Sequence, residues 1–250
     1  MVRTPVAESR GCRLPAMRSH LWTPTSEPTM PRPPIVLDLD GVILQTNAVK
    51  REAMVSLFDV DEDRKTKIND YVRSAGGVRR DLKIMHILRS IQGHPCPEGA
   101  LPGYLERYAA VLKLSLPAAP LVPGVGQFMR DPSFTFYLSS SAPEAEVMDQ
   151  LRSRGLLDCF EAVFGASTPK EEALSRVQAR SHDRQPVFFG DSLADLDAAR
   201  AAGTPFVAVV HETDNFPGAA VVKLRDFTSR EVVQRCMSEA QRGEDGAQVP

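Results

Sequence analysis

Regular patterning begins at Ile35-Val-Leu-Asp-Leu-Asp40, a short apolar run that ends in acids just before Gly41. An unbroken apolar run of this length predicts a parallel strand buried on both faces, with the acids at its C-terminal end. Similar runs at Phe134–Leu138, Ala162–Phe164, Val187–Phe189 and Phe206–Val210 predict further strands, and Ala220–Leu224 reads as an edge strand. Helical patterns lie between most of them. Pro143 to Arg154 follows Ser141-x-x-Glu144, which has the form of a capping box, and Thr168-Pro-Lys-Glu171 has the same form with Pro169 in the first turn. Leu193 to Ala202 is followed by Gly203, a residue suited to a helix C-terminus. Strands alternating with helices predict an α/β fold, a parallel sheet covered on both faces.

One interval breaks the alternation. Between Thr46 and Ala118 the patterns are helical, over 47–58, 61–74, 80–92 and 103–115, with Gly76-Gly77 and His94-Pro-Cys-Pro-Glu-Gly99 between helices. Pro117, Pro120, Pro123 and Gly124 mark the return to the α/β pattern. The organisation predicted is a core over 34–45 and 119–228, a helical insert over 46–118, and a C-terminal helix with a polar tail over 229–250.

Composition alters this picture mainly at the N-terminus. Residues 1–34 hold seven of the 20 prolines and five Arg against two Glu, a local charge of +3. A Pro-rich stretch without apolar periodicity predicts a disordered tail over 1–33, with Met30 as an alternative start. The whole chain of 250 residues carries −2, so the remainder carries −5. That balance argues against nucleic acid or a membrane surface as partner. No apolar run approaches the roughly 18 residues of a membrane span, and no apolar segment at the N-terminus marks a secretory signal. Cys12, Cys96, Cys159 and Cys236 are far apart and form no C-x-x-C, so a reducing, cytoplasmic location is expected.

Four features fall at strand ends or helix starts, the edge where open parallel sheets bind ligands. In Asp38-Leu-Asp40-Gly41 the strand alternation directs both carboxylates to one side, where they repel unless a cation lies between them. Such oxygen pairs suit Mg2+, and Gly41 lets backbone approach a ligand. Ser139-Ser140-Ser141 follows a strand; a hydroxyl there, with the N–H groups of the next helix, can hold a phosphoryl oxygen, while Ser141 fits a plain cap. Lys170 opposes the dipole of the helix it opens, which an anion would explain. Asp191 ends a strand in Gly190-Asp-Ser-Leu-Ala-Asp195, and Asp195 lies one helical turn further on the same face. Each feature alone has an ordinary explanation as an acidic turn, a cap or a solvated charge. The five histidines show no metal-ligand spacing, and there is no G-x-S-x-G or G-x-x-x-x-G-K motif.

Taken in order, acid pair, hydroxyl, lysine and acid pair make the sequence resemble the haloacid dehalogenase-like hydrolase superfamily over about residues 34–228. The resemblance implies a Rossmann-like sheet with the active site at its C-terminal edge. It also implies that the insert is a helical cap, like that of phosphoglycolate phosphatase-like and β-phosphoglucomutase-like members. It implies Asp38 as nucleophile and Asp40 as acid and base. It places Mg2+ on the Asp38 carboxylate, the Asp40 carbonyl and Asp191. Ser139 would donate to a phosphoryl oxygen, Lys170 would balance charge, and Asp195 would orient Lys170 or a metal-bound water. Gly41 and Ser140 join the substrate-binding set, with Gly77 and Arg80 from the cap segment Ser74-Ala-Gly-Gly-Val-Arg-Arg-Asp81. The acid at Asp40 favours phosphoryl transfer over C–halogen cleavage. Many members carry a further acid where this chain has Gln45-Thr46-Asn47. The implied activity is hydrolysis of a small phosphorylated metabolite. A phosphosugar mutase and a non-catalytic phospholigand-binding protein are the alternatives.

Overall fold

A computed structural model of the chain describes residues 32–181, 184–211 and 213–245. Most of the N-terminal tail expected over 1–33, and the last five residues of the polar C-terminus, lie outside the described residues.

Strand β1, Pro34–Leu37, is buried along its whole length. It lies between β2, Thr135–Ser139, and β4, Val187–Gly190, and is parallel to both. With β3, Phe160–Phe164, β5, Phe206–Val209, and β6, Val222–Leu224, the sheet order is β3-β2-β1-β4-β5-β6, parallel throughout. The chain moves outward from β1 on one side and then returns to start β4 on the other. This reversal opens a crevice at the C-terminal ends of β1 and β4.

The apolar runs are unbroken because both faces of the sheet are covered. Ile35 and Leu37 pack with Phe136, Leu138, Phe189 and Val207 on one face. Helices α5 (Val125–Phe128), α6 (Glu144–Ser153) and α9 (Arg230–Asp245) cover that face through residues such as Val125, Val147 and Val233. Val36, Tyr137, Phe188 and Ala208 face the other way. They pack against α7 (Lys170–Arg180) and α8 (Leu193–Ala202) through Leu174, Val177 and Leu196.

Between β1 and β2 stand α1 (Asn47–Val55), α2 (Glu62–Ser74), α3 (Arg80–His86) and α4 (Leu101–Ser115). Helix α3 continues as a π-helical turn over Ile87–Ile91. These helices bury a core of their own, including Met54, Ile68, Ile84, Leu88 and Leu112. The two connections to the sheet run side by side. Leu44 bridges Leu121, Gln45 N donates to Pro120 O at 2.9 Å, and Gln45 Nε2 donates to Leu121 O at 2.8 Å. A carboxylate at position 45 could not donate that last bond. No helix among the described residues is long and apolar enough to cross a membrane.

Two helix starts differ from expectation. Neither the Ser141-x-x-Glu144 box nor the Thr168-x-x-Glu171 box forms. Pro143 and Pro169 stand at the cap positions with ψ of 136° and 144°, and each helix opens on the residue after its proline. The ring fixes φ and the extended ψ directs the chain into the helix, so no side-chain cap is used. The capping box that does form joins Ser192 to Asp195 at the start of α8. Gly203 closes that helix in the left-handed conformation, φ 61°.

Candidate active site

The crevice between β1 and β4 receives the acids at their ends. Leu37 pairs with Phe189, and Asp38 N donates to Phe189 O at 3.0 Å. Asp38 thus begins the loop beyond β1, beside Gly190 and Asp191. The turn then reverses at Gly41, φ 78°, where a Cβ would collide with the Asp191 carboxylate and the Asn47 amide. Glycine is required there by space as well as by φ.

Lys170, first residue of α7, extends into this crevice. Its Nζ lies 2.9 Å from Asp38 Oδ1 and also holds Asp195 Oδ1. Burial alone would push the ammonium down, but Asp195 and Asp38 outweigh it and hold the lysine well above its ordinary range. The two carboxylates account for a cation at the unfavourable end of a helix. Asp195 is fully buried; its Oδ2 accepts from Ser192 N at 3.1 Å and from Ser192 Oγ at 2.6 Å. Asp195 therefore reaches Lys170 from a fixed position.

The other acids differ in charge state. Burial pushes the Asp38 carboxyl up to about 7, with Asp195 and Asp40 adding to the rise and Lys170 opposing it. Burial, Asp195 and Asp38 raise Asp191 well above the carboxylate range, against a 2.6 Å hydrogen bond from Asn47 Nδ2. For Asp40, burial would also raise the carboxyl, but Lys50 and Thr46 bring it below the ordinary value. Thr46 Oγ1 donates to one Asp40 oxygen and Lys50 Nζ to the other.

Asp38, Asp191 and Asp195 each offer a carboxylate oxygen, and these lie within 4.8 Å of one another. An all-oxygen set of this kind fits a hard divalent cation such as Mg2+. Asp195 has both oxygens engaged, whereas Asp38 Oδ2 and Asp191 Oδ1 have no hydrogen-bond partner among the described residues. Asp38 and Asp191 are thus the available carboxylate ligands. The Asp40 side chain is committed to Thr46 and Lys50, so only its backbone carbonyl remains for a ligand role.

A cavity of about 120 Å³ opens over these groups. The core contributes Asp38, Asp40 and Asp191 to its wall, and the inserted helices contribute Lys50, Arg80 and Lys83. The predicted serines are placed differently. Ser141 lines the cavity, while Ser139 and Ser140 are buried behind it. Ser140 Oγ accepts from Ala142 N at 3.1 Å. Ser139 Oγ is buried with no hydrogen-bond partner among the described residues, so it retains its donor.

The two residues of the helical insert predicted to bind substrate, Gly77 and Arg80, line the cavity but have structural partners as well. Gly77, φ 74°, lets the α2–α3 loop press onto the start of α8; a Cβ there would come within 2.6 Å of Ala194 Cβ. Arg80 forms a bidentate pair with Glu146 of α6, at 2.8 and 2.7 Å, and its guanidinium lies 5.3 Å from the Tyr108 ring centroid. Both terminal nitrogens are therefore engaged within the protein. Sequence reasoning left Thr46, Asn47, Lys50, Lys83 and Asn215 without a role here. Asn215 Nδ2 donates to Asp191 O at 2.8 Å and helps hold that loop.

A family model for haloacid dehalogenase-like hydrolases matches residues 35–209. No curated protein sequence matches the chain. Solved structures do. A β-phosphoglucomutase from Clostridium difficile is 20% identical, with a TM-score of 0.64 over 84% of this chain and 99% of that one. A predicted phosphoglycolate phosphatase from Haemophilus somnus is 14% identical, with a TM-score of 0.64 over 82% of this chain and 99% of that one. A protein of Bacillus subtilis described as a HAD-hydrolase and bound to magnesium is 18% identical, with a TM-score of 0.59 over 83% and 99%. At these identities the likeness is one of fold.

Proposed function

The chain belongs to the haloacid dehalogenase-like hydrolase family, and from that premise we propose that it is a Mg2+-dependent phosphatase acting on a small phosphorylated metabolite. The observation that carries this reading is the cluster at the β1–β4 crevice. There a buried carboxylate, Asp38, touches the Lys170 ammonium, whose side chain is 11% exposed, beside a second buried carboxylate, Asp191, with an oxygen unpartnered among the described residues.

One oxygen of the Asp38 carboxylate attacks phosphorus, and the other is left for the metal. The bond from phosphorus to the leaving oxygen breaks, and that oxygen takes a proton from Asp40. Water then attacks the phosphoryl group on Asp38. Its proton passes to Asp40, the bond from phosphorus to Asp38 breaks, and inorganic phosphate leaves. Lys170 neutralises charge on the nucleophile and the transferring group throughout. The Asp38 carboxylate, the Asp40 carbonyl and Asp191 are the residues that would hold Mg2+, which supplies relief of the repulsion between carboxylate and phosphate. Lys50 keeps Asp40 ionised in the arrangement described, the form that accepts the proton from water. Donation to the leaving group requires Asp40 to leave Lys50 and take up a proton. Ser139, the last residue of β2, keeps an unpartnered hydroxyl, the donor that a phosphoryl oxygen would use. A mutase on the same scaffold needs a second phosphate-binding site; the commitment of Arg80 to Glu146 favours hydrolysis.

The test is a panel of phosphomonoesters assayed for free phosphate and, by mass spectrometry, for isomerised product. Free phosphate should appear with Mg2+, vanish with EDTA, return when Mg2+ is restored, and be lost in Asp38→Asn. Isomer without net phosphate would establish the mutase instead, and wild-type turnover in Asp38→Asn would reject both.

A further inference from the structure

Two asparagines hold Asp191, and they come from different parts of the chain. Asn215, in the loop beyond β5, donates from Nδ2 to Asp191 O at 2.8 Å and so fixes the backbone. Asn47, the first residue of α1 in the inserted helices, donates from Nδ2 to Asp191 Oδ2 at 2.6 Å and so fixes the carboxylate. The contact is closely fitted. A Cβ on Gly41 would lie 2.2 Å from Asp191 Oδ2 and 2.5 Å from Asn47 Nδ2, so the bare turn leaves the space in which the two side chains meet. Thr46, one residue earlier, donates to Asp40 instead. Adjacent residues at the start of α1 thus address one acid each.

The Asn47 bond decides which Asp191 oxygen is available. Oδ2 is taken by the amide, and Oδ1 has no partner among the described residues. Mg2+ demands near-ideal octahedral geometry, so a carboxylate with one oxygen fixed suits it better than one free to turn. An ionised Asp191 only accepts, and the amide answers it with an N–H. Because the amide is neutral, it leaves intact the negative charge that attracts a cation, unlike the ammonium of Lys50 at Asp40. We infer that Asn47 is a positioning residue for the metal, which orients Asp191 and thereby sets the affinity of the site for Mg2+. This rests on the reading above in which Asp38 and Asp191 hold Mg2+. Partners that orient a metal ligand in this way are worth about 10- to 100-fold in affinity.

The test measures metal alone, without substrate, on the full chain. Titration calorimetry with Mg2+, and the electron paramagnetic resonance signal of free Mn2+, give affinities for wild type, Asn47→Ala, Asn47→Leu and Gln45→Ala. Gln45 is the control: it lines the same cavity two residues away, but its side chain bonds to Leu121 O rather than to an acid. Both Asn47 variants should bind each metal about 10- to 100-fold more weakly, and Gln45→Ala should bind as wild type does. Thermal melts in EDTA and in Mg2+ separate positioning from a structural part. The rise in Tm that Mg2+ gives should shrink in the Asn47 variants, since metal stabilises only by binding the native state. Unchanged metal affinity in the Asn47 variants, with Tm lowered equally in both media, would overturn the inference. So would equal weakening in Gln45→Ala, which would assign the effect to the packing of the segment. Wild type that releases no phosphate yet shows the Asn47 difference would reject the phosphatase reading and leave this role standing. Wild type that binds neither metal would overturn the Mg2+ reading and the inference together.

Discussion

Asp191 and Asp38 illustrate how burial sets proton state before any ligand arrives. Both carboxyls lie above the range they have in the unfolded chain, Asp38 at about 7 against 3.8. The folded protein therefore holds protons that the unfolded chain has released, and stability from these groups falls as pH rises from about 4 toward 7. In metal-free protein, Asp191→Asn should raise Tm, and the gain should be larger at pH 7.5 than at pH 5. For a domain of this size each kcal/mol shifts Tm by about 2–4 °C. Thermal melts in EDTA across that pH range are the check; a gain that shrinks with rising pH would contradict the assignment. Mg2+ should stabilise wild type more than the variant, because binding to the native state alone stabilises by mass action. At this scale the acids and Lys170 were legible in the sequence because each stands at a strand end or helix start. Lys83 and Lys50 were not, since nothing in a helix sequence distinguishes a lysine that faces a cavity from one that faces solvent. Arg80 was legible as a cavity residue, but its partner Glu146 is 66 positions away and on another helix.

At the scale of elements, strands were easier to read than helix starts. A strand covered on both faces leaves a continuous apolar run, as in β1, β4 and β5, whereas several sequences can open a helix. Ser141-x-x-Glu144 and Thr168-x-x-Glu171 match a capping box on paper, but the proline in each takes the cap position. Ser192 and Asp195 form the box at α8, and the same Asp195 carboxylate holds Lys170. One device therefore serves both the helix and the site. Ser192→Ala should cost about 1 kcal/mol of stability, the usual value for an N-cap, and should also lower kcat, because Asp195 loses the hydroxyl that fixes it. Calorimetry and steady-state kinetics on one preparation would show both effects. A variant with unchanged Tm and unchanged kcat would remove Ser192 from this role.

For the whole molecule, the division of labour follows from connectivity. The sheet, with a core on each face, fixes the acids and Lys170 at one edge. The inserted helices, with their own core, bring Lys50, Arg80 and Lys83 to the opposite wall of the cavity. The alternation of strands and helices made the α/β class legible, and the helical interval after β1 made the insertion legible. How the α2–α3 loop meets α8 was not, because that contact depends on a missing Cβ at Gly77 fitting against Ala194. The central claim is that Asp38 carries the phosphoryl group between substrate and water. Acid-quenching the enzyme during turnover with Mg2+ and a hydrolysed phosphomonoester, followed by peptide mass spectrometry, tests it directly. The account predicts a phosphoryl adduct on the peptide containing Asp38, absent in Asp38→Asn. An adduct on another residue, or turnover by Asp38→Asn at the wild-type rate, would contradict it.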